Sequence, residues 1–391
     1  MFLVVFLKEA RETLRDKRAL SMLALFVLMY PLMVGFMLHT MIDRATKPER
    51  EGIELIVIGG AQAPTLMAQL KQKNVTVTEH APMTDAEITD VLHEKKYVAV
   101  LKLSEKYADS YAAMRPARVE LWFDSAQDSS RKAREVEDAL REYGNSIAGA
   151  RMLAHGVSPV TLAPVLVQKY DTGTSASRSA SVIGTMLGSF FVPAFIFCMS
   201  TAVDSSAGER ERRSLEVLMA QPARTLDLVL GKWLAAGALS ILGVTLELSF
   251  AHGILNWLPL EEIGMSWRLS TLDLAGVCMA SASLSLFAAA FEIALAMNAK
   301  SFKEAQSIVS FAILLPLIPV LVVPALELNT ANWMYLVPVL SNQTLLRELA
   351  KGQDIGALPF LLTFGSSLLL ACLAAGFATW RMKSEKYVLA V

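Results

Sequence analysis

LSMLALFVLMYPLMVGFMLHTM, residues 20–41, contains no Asp, Glu, Lys or Arg. A bilayer core of about 30 Å needs about 20 mainly apolar helical residues. The run is too long for a signal-peptide core and has no small-residue cleavage site, so it reads as a retained span. Five further runs repeat the pattern at 181–203, 228–252, 270–297, 305–325 and 357–380. Pro31, Pro193, Pro316 and Pro319 fall inside these runs; membrane helices accept proline where neighbouring groups satisfy the freed carbonyls. The fold class expected is a polytopic α-helical membrane protein of six spans.

Composition agrees. Of 391 residues, 54% are hydrophobic and 19% charged, against about 25% charged in an ordinary soluble domain. The net charge of -1 argues against nucleic acid or another polyanionic partner. Cys198, Cys278 and Cys372 lie apart inside apolar runs and read as small buried residues, with no disulfide framework.

Basic residues orient the spans, because Lys and Arg accumulate in cytoplasmic connections. Lys8, Arg11, Arg15, Lys17 and Arg18 precede the first span, and Arg381, Lys383 and Lys386 follow the sixth. Arg210, Arg212, Arg213 and Arg224 lie between spans 2 and 3, and Lys300 and Lys303 between spans 4 and 5. Six spans with both termini cytoplasmic, as in a prokaryotic inner membrane, put all these clusters on one side. Residues 1–19 suit a helix in the cytoplasmic interface or simply a positive topology signal, and residues 381–391 form a cytoplasmic tail.

Residues 42–180 then lie outside. Strands are expected at 53–59, 75–79, 97–103 and 118–124, with helices at about 63–73, 84–95, 104–114 and 128–155. Thr84 and Glu87 have capping-box spacing. Alternating strands and helices indicate an α/β domain, with the last helix leading back to the membrane. IVIGGAQAP lacks dinucleotide-binding glycine spacing. His80, His93 and His155 are isolated and read as ordinary polar residues, and His252 as an outer-interface residue. Residues 171–181 (DTGTSASRSAS) read as a flexible re-entry; 158–168 are assigned to no element.

The densest signal is DSSAGERERRSLEVLMAQPARTLDLVLGKWLAA, residues 204–236. Ser205 or Ser206 could cap a helix bearing Glu209, Arg210, Glu211, Arg212 and Arg213. Leu215, Leu218 and Met219 recur at helical spacing, and Pro222 ends the helix. Such a charged amphipathic element, 204–227, can dock into a partner's groove or merely pave the interface.

This stretch resembles the signature of ABC-2-type permeases, in particular the sodium-effluxing NatB-like branch. The matching residues are Ala207-Gly208-Glu209-Arg210-Glu211-Arg212, Ser214-Leu215-Glu216, Leu218-Met219, Pro222 and Leu230-Gly231-Lys232. LRDKRAL (14–20), AKSFKEAQS (299–307) and PVLSNQTLLRELAKG (338–352) agree as well. The resemblance implies a type V exporter-like fold, a second permease copy (homodimer or homologous heterodimer) and a cytoplasmic ATPase subunit carrying ATP and Mg. In it, Glu209, Glu211 and Glu216 would meet basic groups of the ATPase and Arg210, Arg212 and Arg213 acidic ones. Leu215, Leu218 and Met219 would fill its groove. The sequence supports one part directly: it has no G-x-x-x-x-G-K-[ST] loop, Gly231-Lys232 being followed by Trp233, so the chain is expected not to be catalytic itself and to bind no cofactor or metal.

Transport requires a path. Charge inside a span costs about 2.5–3.5 kcal/mol on insertion scales, which singles out Glu247 and Glu292. Glu247 could line the path or make an interhelical hydrogen bond; Glu292 could do so or anchor to Lys300. Residues 326–356 are too interrupted to span and read as two short helices in or on the outer leaflet. The substrate the branch implies is Na⁺; drugs, peptides or lipids are the alternatives within the family. An ATP-independent transporter and a membrane-anchored sensor or scaffold are the alternatives outside it.

Overall fold

The computed structural model describes residues 1–46, 53–94, 96–125, 130–162, 170, 173–314, 316–318, 321–322, 326, 330–353 and 355–383. Two compact units result: residues 47–171, and the remainder of the chain.

The chain opens with α1 (Phe2–Arg15) and α2 (Lys17–Thr46), separated by Asp16, whose backbone is extended. The Asp16 carboxylate accepts from Arg18 N at 2.9 Å, satisfying one of the free N–H groups at the start of α2. Helix α2 passes through Pro31 and extends beyond the predicted 20–41 at both ends.

In the α/β unit, β1 (Ile53–Ile58) is followed by α3 (Pro64–Gln72), β2 (Val75–His80), α4 (Asp85–His93), β3 (Ala99–Leu103), α5 (Tyr107–Ala112), β4 (Val119–Trp122) and α6 (Ser130–Ala154). The sheet order is β2-β1-β3-β4; β1 runs parallel to β2 and β3, and β4 is antiparallel. Strand β1 is buried on both faces. Leu55 and Val57 pack with Leu66 and Leu70 of α3 and Val136 of α6, and Ile56 and Ile58 with Ile88 and Leu92 of α4. This is the period-two division a parallel strand imposes when helices cover both sides. The capping box forms: Glu87 N donates to Thr84 Oγ1, and Thr84 N to the Glu87 carboxylate.

The helical unit resumes with α7 (Ser175–Gly188), a 3-10 turn at Ser189–Phe191, and α8 (Pro193–Val203). The flexible re-entry expected at 171–181 is therefore helical from Ser175. Ser179 Oγ donates to Ser175 O and accepts from Ser266 N, so its hydroxyl holds the segment against residues 265–269. A π turn (Asp204–Gly208) carries α8 into α9 (Glu209–Glu211). Then come α10 (Ser214–Met219), α11 (Thr225–Trp257), α12 (Thr271–Ala296), α13 (Phe302–Ala312), α14 (Leu340–Ala350) and α15 (Ala357–Met382).

Among the described residues, five segments are long and apolar enough to cross a membrane: Lys17–Asp43, Ser189–Glu211, Thr225–Trp257, Thr271–Ala296 and Ala357–Met382. In the fifth expected span, 305–325, α13 ends at Ala312, a turn follows at 313–314 and 316, and the described residues 317–318 and 321–322 are helical again. Residues 315, 319–320 and 323–325 lie outside the description, as do 163–169 and 384–391 of other predicted segments. The expected pair of short helices in 326–356 is present as a 3-10 turn (Asn332–Leu336) and α14. Most of α14 is buried against α7 and α12 rather than lying along a surface. Cys198 is buried, but Cys372 is exposed on α15, contrary to its expected burial; a membrane helix turns part of its apolar face away from its neighbours.

Candidate functional site: the charged connection and the buried carboxylates

The expected helix beginning at Ser205 or Ser206 does not exist. Helical structure continues from α8 through Glu211 and breaks at Arg212–Arg213, where Arg213 takes the left-handed conformation with φ 55°. Ser205 and Ser206 are buried inside the continuous helix, and the Ser206 hydroxyl bonds back to Ala202 O. Ser214 Oγ donates to Glu209 O at 3.1 Å, folding α10 back on α9.

Four charges meet beneath this turn. Lys232, 0% exposed, donates to Ser205 O at 2.7 Å, to Glu209 at 2.5 Å and to Glu9 at 3.5 Å. All three ammonium hydrogens thus have acceptors. The other Glu209 oxygen accepts from Lys8 at 3.1 Å, and Lys8 also bonds Glu9 at 3.1 Å. Two positive and two negative charges thus balance around the buried Lys232, and Lys8 also lies 3.7 Å from the exposed Glu12. Partial burial works against the Lys8 ammonium, but Glu9 and Glu209 outweigh it and hold its pKa above the usual lysine value.

Helix α1 is therefore a packed part of the helical unit. A Cβ on Gly231 would lie 2.6 Å from Val5 Cβ and 3.0 Å from Phe6 N, so only glycine allows this approach of α1 to α11. Thr13 and Thr201 hydroxyls meet at 3.3 Å, and Ser200 donates to Asp16 at 3.1 Å. These contacts tie α1 to α8 as well.

The residues predicted to face a partner divide by environment. Glu211, Arg212, Arg213 and Glu216 are exposed, while Arg210, Leu218 and Met219 are half-buried. Glu211 accepts from Phe302 N at 2.6 Å, capping α13, and Arg212 forms a fork with Asp204 at 2.8 and 3.1 Å. Glu209 and Leu215, 5% and 1% exposed, point inward: the carboxylate belongs to the charge cluster, and Leu215 joins the helical core. In the single chain neither reaches the surface. The apolar face read from the sequence is real, but it covers the protein's own helices. Val217, 66% exposed, is the apolar residue presented outward. Sequence reasoning passed over it because it lies off the Leu215–Leu218–Met219 stripe. It also read Lys232 only as part of the Leu230-Gly231-Lys232 motif, treated Lys8 as a topology signal and gave Glu9 no role, although a lysine within an apolar run already implies a buried partner.

Both intramembrane carboxylates are 0% exposed. Among the described residues neither oxygen of Glu247 has a hydrogen-bond partner; Ser249 Oγ donates to the Thr245 carbonyl on a more exposed side of α11. Glu292 accepts from Cys198 Sγ at 3.2 Å with one oxygen, and the other has no partner among the described residues. The expected Lys300 anchor is not made, since Lys300 is exposed beyond the end of α12.

Long apolar helices are gathered about this charged connection. The family model described as "ABC-2 family transporter protein" matches residues 17–376, and the chain belongs to that family. It is 25% identical over 393 aligned residues to the ABC transporter permease protein NatB of Bacillus subtilis (strain 168), covering 98% of both chains. The chain is thus the membrane permease component of an ABC-2-type transporter; the family implies membrane embedding and a separate ATPase partner.

Proposed function

We propose that this permease exports its substrate outward, powered by ATP hydrolysis on a separate subunit that docks on the exposed side of residues 211–217. The observation that carries the reading is the mounting of α10. Its outer side presents Arg213, Glu216 and Val217, while its base is fixed through Glu209 and Leu215 to α1 and α11. A push on α10 would reach α1 and the long helix α11 through these charge pairs rather than through a loose loop. Exposed ion pairs at the docking face contribute only about 0–1 kcal/mol each, so Val217, with the half-buried Leu218 and Met219, supplies the apolar anchor.

In this reading both termini and the 204–227 connection are cytoplasmic, the α/β unit is outside, and two permease copies assemble with two ATPases in the inner membrane. The transported species is a cation, Na⁺ by similarity to the NatB-like branch. Glu247 favours this over a lipid or drug, because an unpartnered carboxylate buried at 0% exposure suits positive charge better than an apolar tail. Inverted vesicles containing the permease and its ATPase test the reading. ATP is expected to drive ²²Na⁺ uptake, and Glu247→Gln to slow it by at least tenfold; ATP-driven transport indifferent to Na⁺ would sink the sodium assignment.

A further inference from the structure

Helix α1 has 14 residues and is about 21 Å long, short of the roughly 30 Å of hydrocarbon that a span must cross. It ends at Asp16, and the first membrane-length helix opens at Lys17. It packs on the first turns of α11 at Gly231 and on the last turns of α8 at Ser200 and Thr201. Helix α1 therefore lies along a boundary of the membrane region, beside the end of one span and the start of the next.

The sides of this helix differ in chemistry. Val5, Glu9 and Thr13 are buried; they recur at i, i+4 and i+8 and seat the helix on the protein. Leu3, Leu7, Ala10 and Leu14 recur at i, i+4, i+7 and i+11, about 130° around the helix from that seat. The three leucines are 56%, 48% and 62% exposed. About 90° further round stand Arg11 and Arg15, both exposed, and the exposed Lys17 and Arg18 follow at the start of α2. Among the described residues these four basic side chains make no ion pair, whereas Lys8 on the same helix is tied to Glu9 and Glu209. Water would account for the arginines but not for the leucine row, and hydrocarbon for the leucines but not for the arginines. The headgroup layer accommodates both. Beyond Arg18 the same chain turns Leu25, Leu28, Leu32 and Phe36 outward along α2, so the apolar row on α1 continues into a helix with a lipid-facing side.

We propose that α1 and the start of α2 form a binding site for an anionic phospholipid, its acyl chains along Leu3, Leu7 and Leu14 and its phosphate held by Arg11 and Arg15. The guanidinium fork matches phosphate oxygens and forms charge-assisted hydrogen bonds with them. A zwitterionic headgroup brings its own ammonium and leaves no net negative charge for the unpaired arginines. Each basic side chain near an anionic surface favours binding about fivefold, so the arginine pair supplies a preference well above tenfold. The opposite side of α1 carries Glu9 into the charge cluster beneath α10, which places the lipid on the helix that braces that connection. The site requires neither a particular cargo nor a particular side of the membrane.

Native mass spectrometry of the purified full-length permease in detergent, titrated with POPG or POPC, tests the site. Wild type is expected to bind its first POPG at least tenfold more tightly than POPC. Arg11→Gln with Arg15→Gln should bring the two lipids within about twofold, whereas Arg141→Gln, at an exposed position on α6, should keep the full preference. Leu7→Asn with Leu14→Asn should weaken both lipids at least fivefold, which a site for free phosphate would not show. Melting curves in lipid-free detergent check that the variants are folded; if the double leucine variant is not, Leu14→Asn alone must weaken both lipids. Equal affinity of wild type for the two lipids, or an undiminished POPG preference in the folded arginine variant, overturns the site. Wild-type lipid binding by the folded leucine variant overturns it as a lipid site and leaves only a phosphate contact.

Discussion

Replacing Lys232 by Met should expose how much the charge cluster holds. The methionine fills similar volume but leaves Glu209 and Glu9 without the ammonium that bonds both. Removing one partner of a buried ion pair costs about 3–5 kcal/mol. Lys8 remains 3.1 Å from each carboxylate and compensates in part, which places the expected loss near the lower bound, about 3 kcal/mol, or roughly a hundredfold in the folding equilibrium. Adding Glu209→Gln removes the stranded charge and leaves Glu9 with Lys8. The double variant should therefore lose only about 1 kcal/mol, less than Lys232→Met alone, and the double-mutant cycle should give a coupling energy of at least about 2 kcal/mol, larger by whatever Glu209→Gln costs singly. Reversible unfolding in mixed detergent micelles, followed by tryptophan fluorescence, provides the free energies. Lys232→Met within about 0.5 kcal/mol of wild type, or a double variant as unstable as the two single losses added together, would refute the reasoning.

Three other perturbations have definite outcomes. Gly231→Val should separate α1 from α11, because its Cβ collides with Val5 and approaches the Phe6 backbone; hydrogen exchange in residues 2–15 should rise while exchange in 53–94 stays unchanged. Ile88→Ala, at a fully buried position between α4 and the sheet, should destabilise the α/β unit by about 2–4 kcal/mol, read as lost protection in its strands. Burial pushes the Glu348 carboxyl up, but Lys351, Thr330 and Arg347 outweigh it and hold it below the ordinary glutamate value. Its contribution is therefore present at neutral pH and lost as pH falls below about 4.3 through the depressed value. Exchange in residues 330–350, corrected for intrinsic rates, should accelerate there in wild type and show no such pH step in Glu348→Gln.

Much of the fold was readable because its cause is local. Residues 20–41 are apolar over a bilayer's thickness whatever surrounds them, and IELIVIG followed by a helical pattern carries its strand–helix alternation in a short window. Thr84 and Glu87 are three residues apart, so their cap needs no tertiary information. The charge cluster is different. Lys232 and Glu209 are 23 residues apart, and Lys232 and Glu9 are 223 apart, so only the packing of α1 on α11 creates the site. Helical period correctly grouped Leu215, Leu218 and Met219, but period defines a face and not what covers it. The fifth run shows the opposite limit: mean apolarity over 305–325 cannot show the turn that separates α13, ending at Ala312, from the helical residues 317–318 and 321–322 beyond Pro316.

In the proposed assembly the outer side of 211–217 receives the ATPase and the buried cluster only supports it. The direct measurement is the ATPase rate of the partner subunit titrated with the permease in nanodiscs, comparing wild type with Val217→Asp. The account predicts saturable stimulation by wild type and at least tenfold weaker apparent affinity for the variant, whose melting temperature stays within about 2 °C of wild type because an exposed substitution changes stability little. Stimulation by the folded variant at wild-type affinity would contradict it.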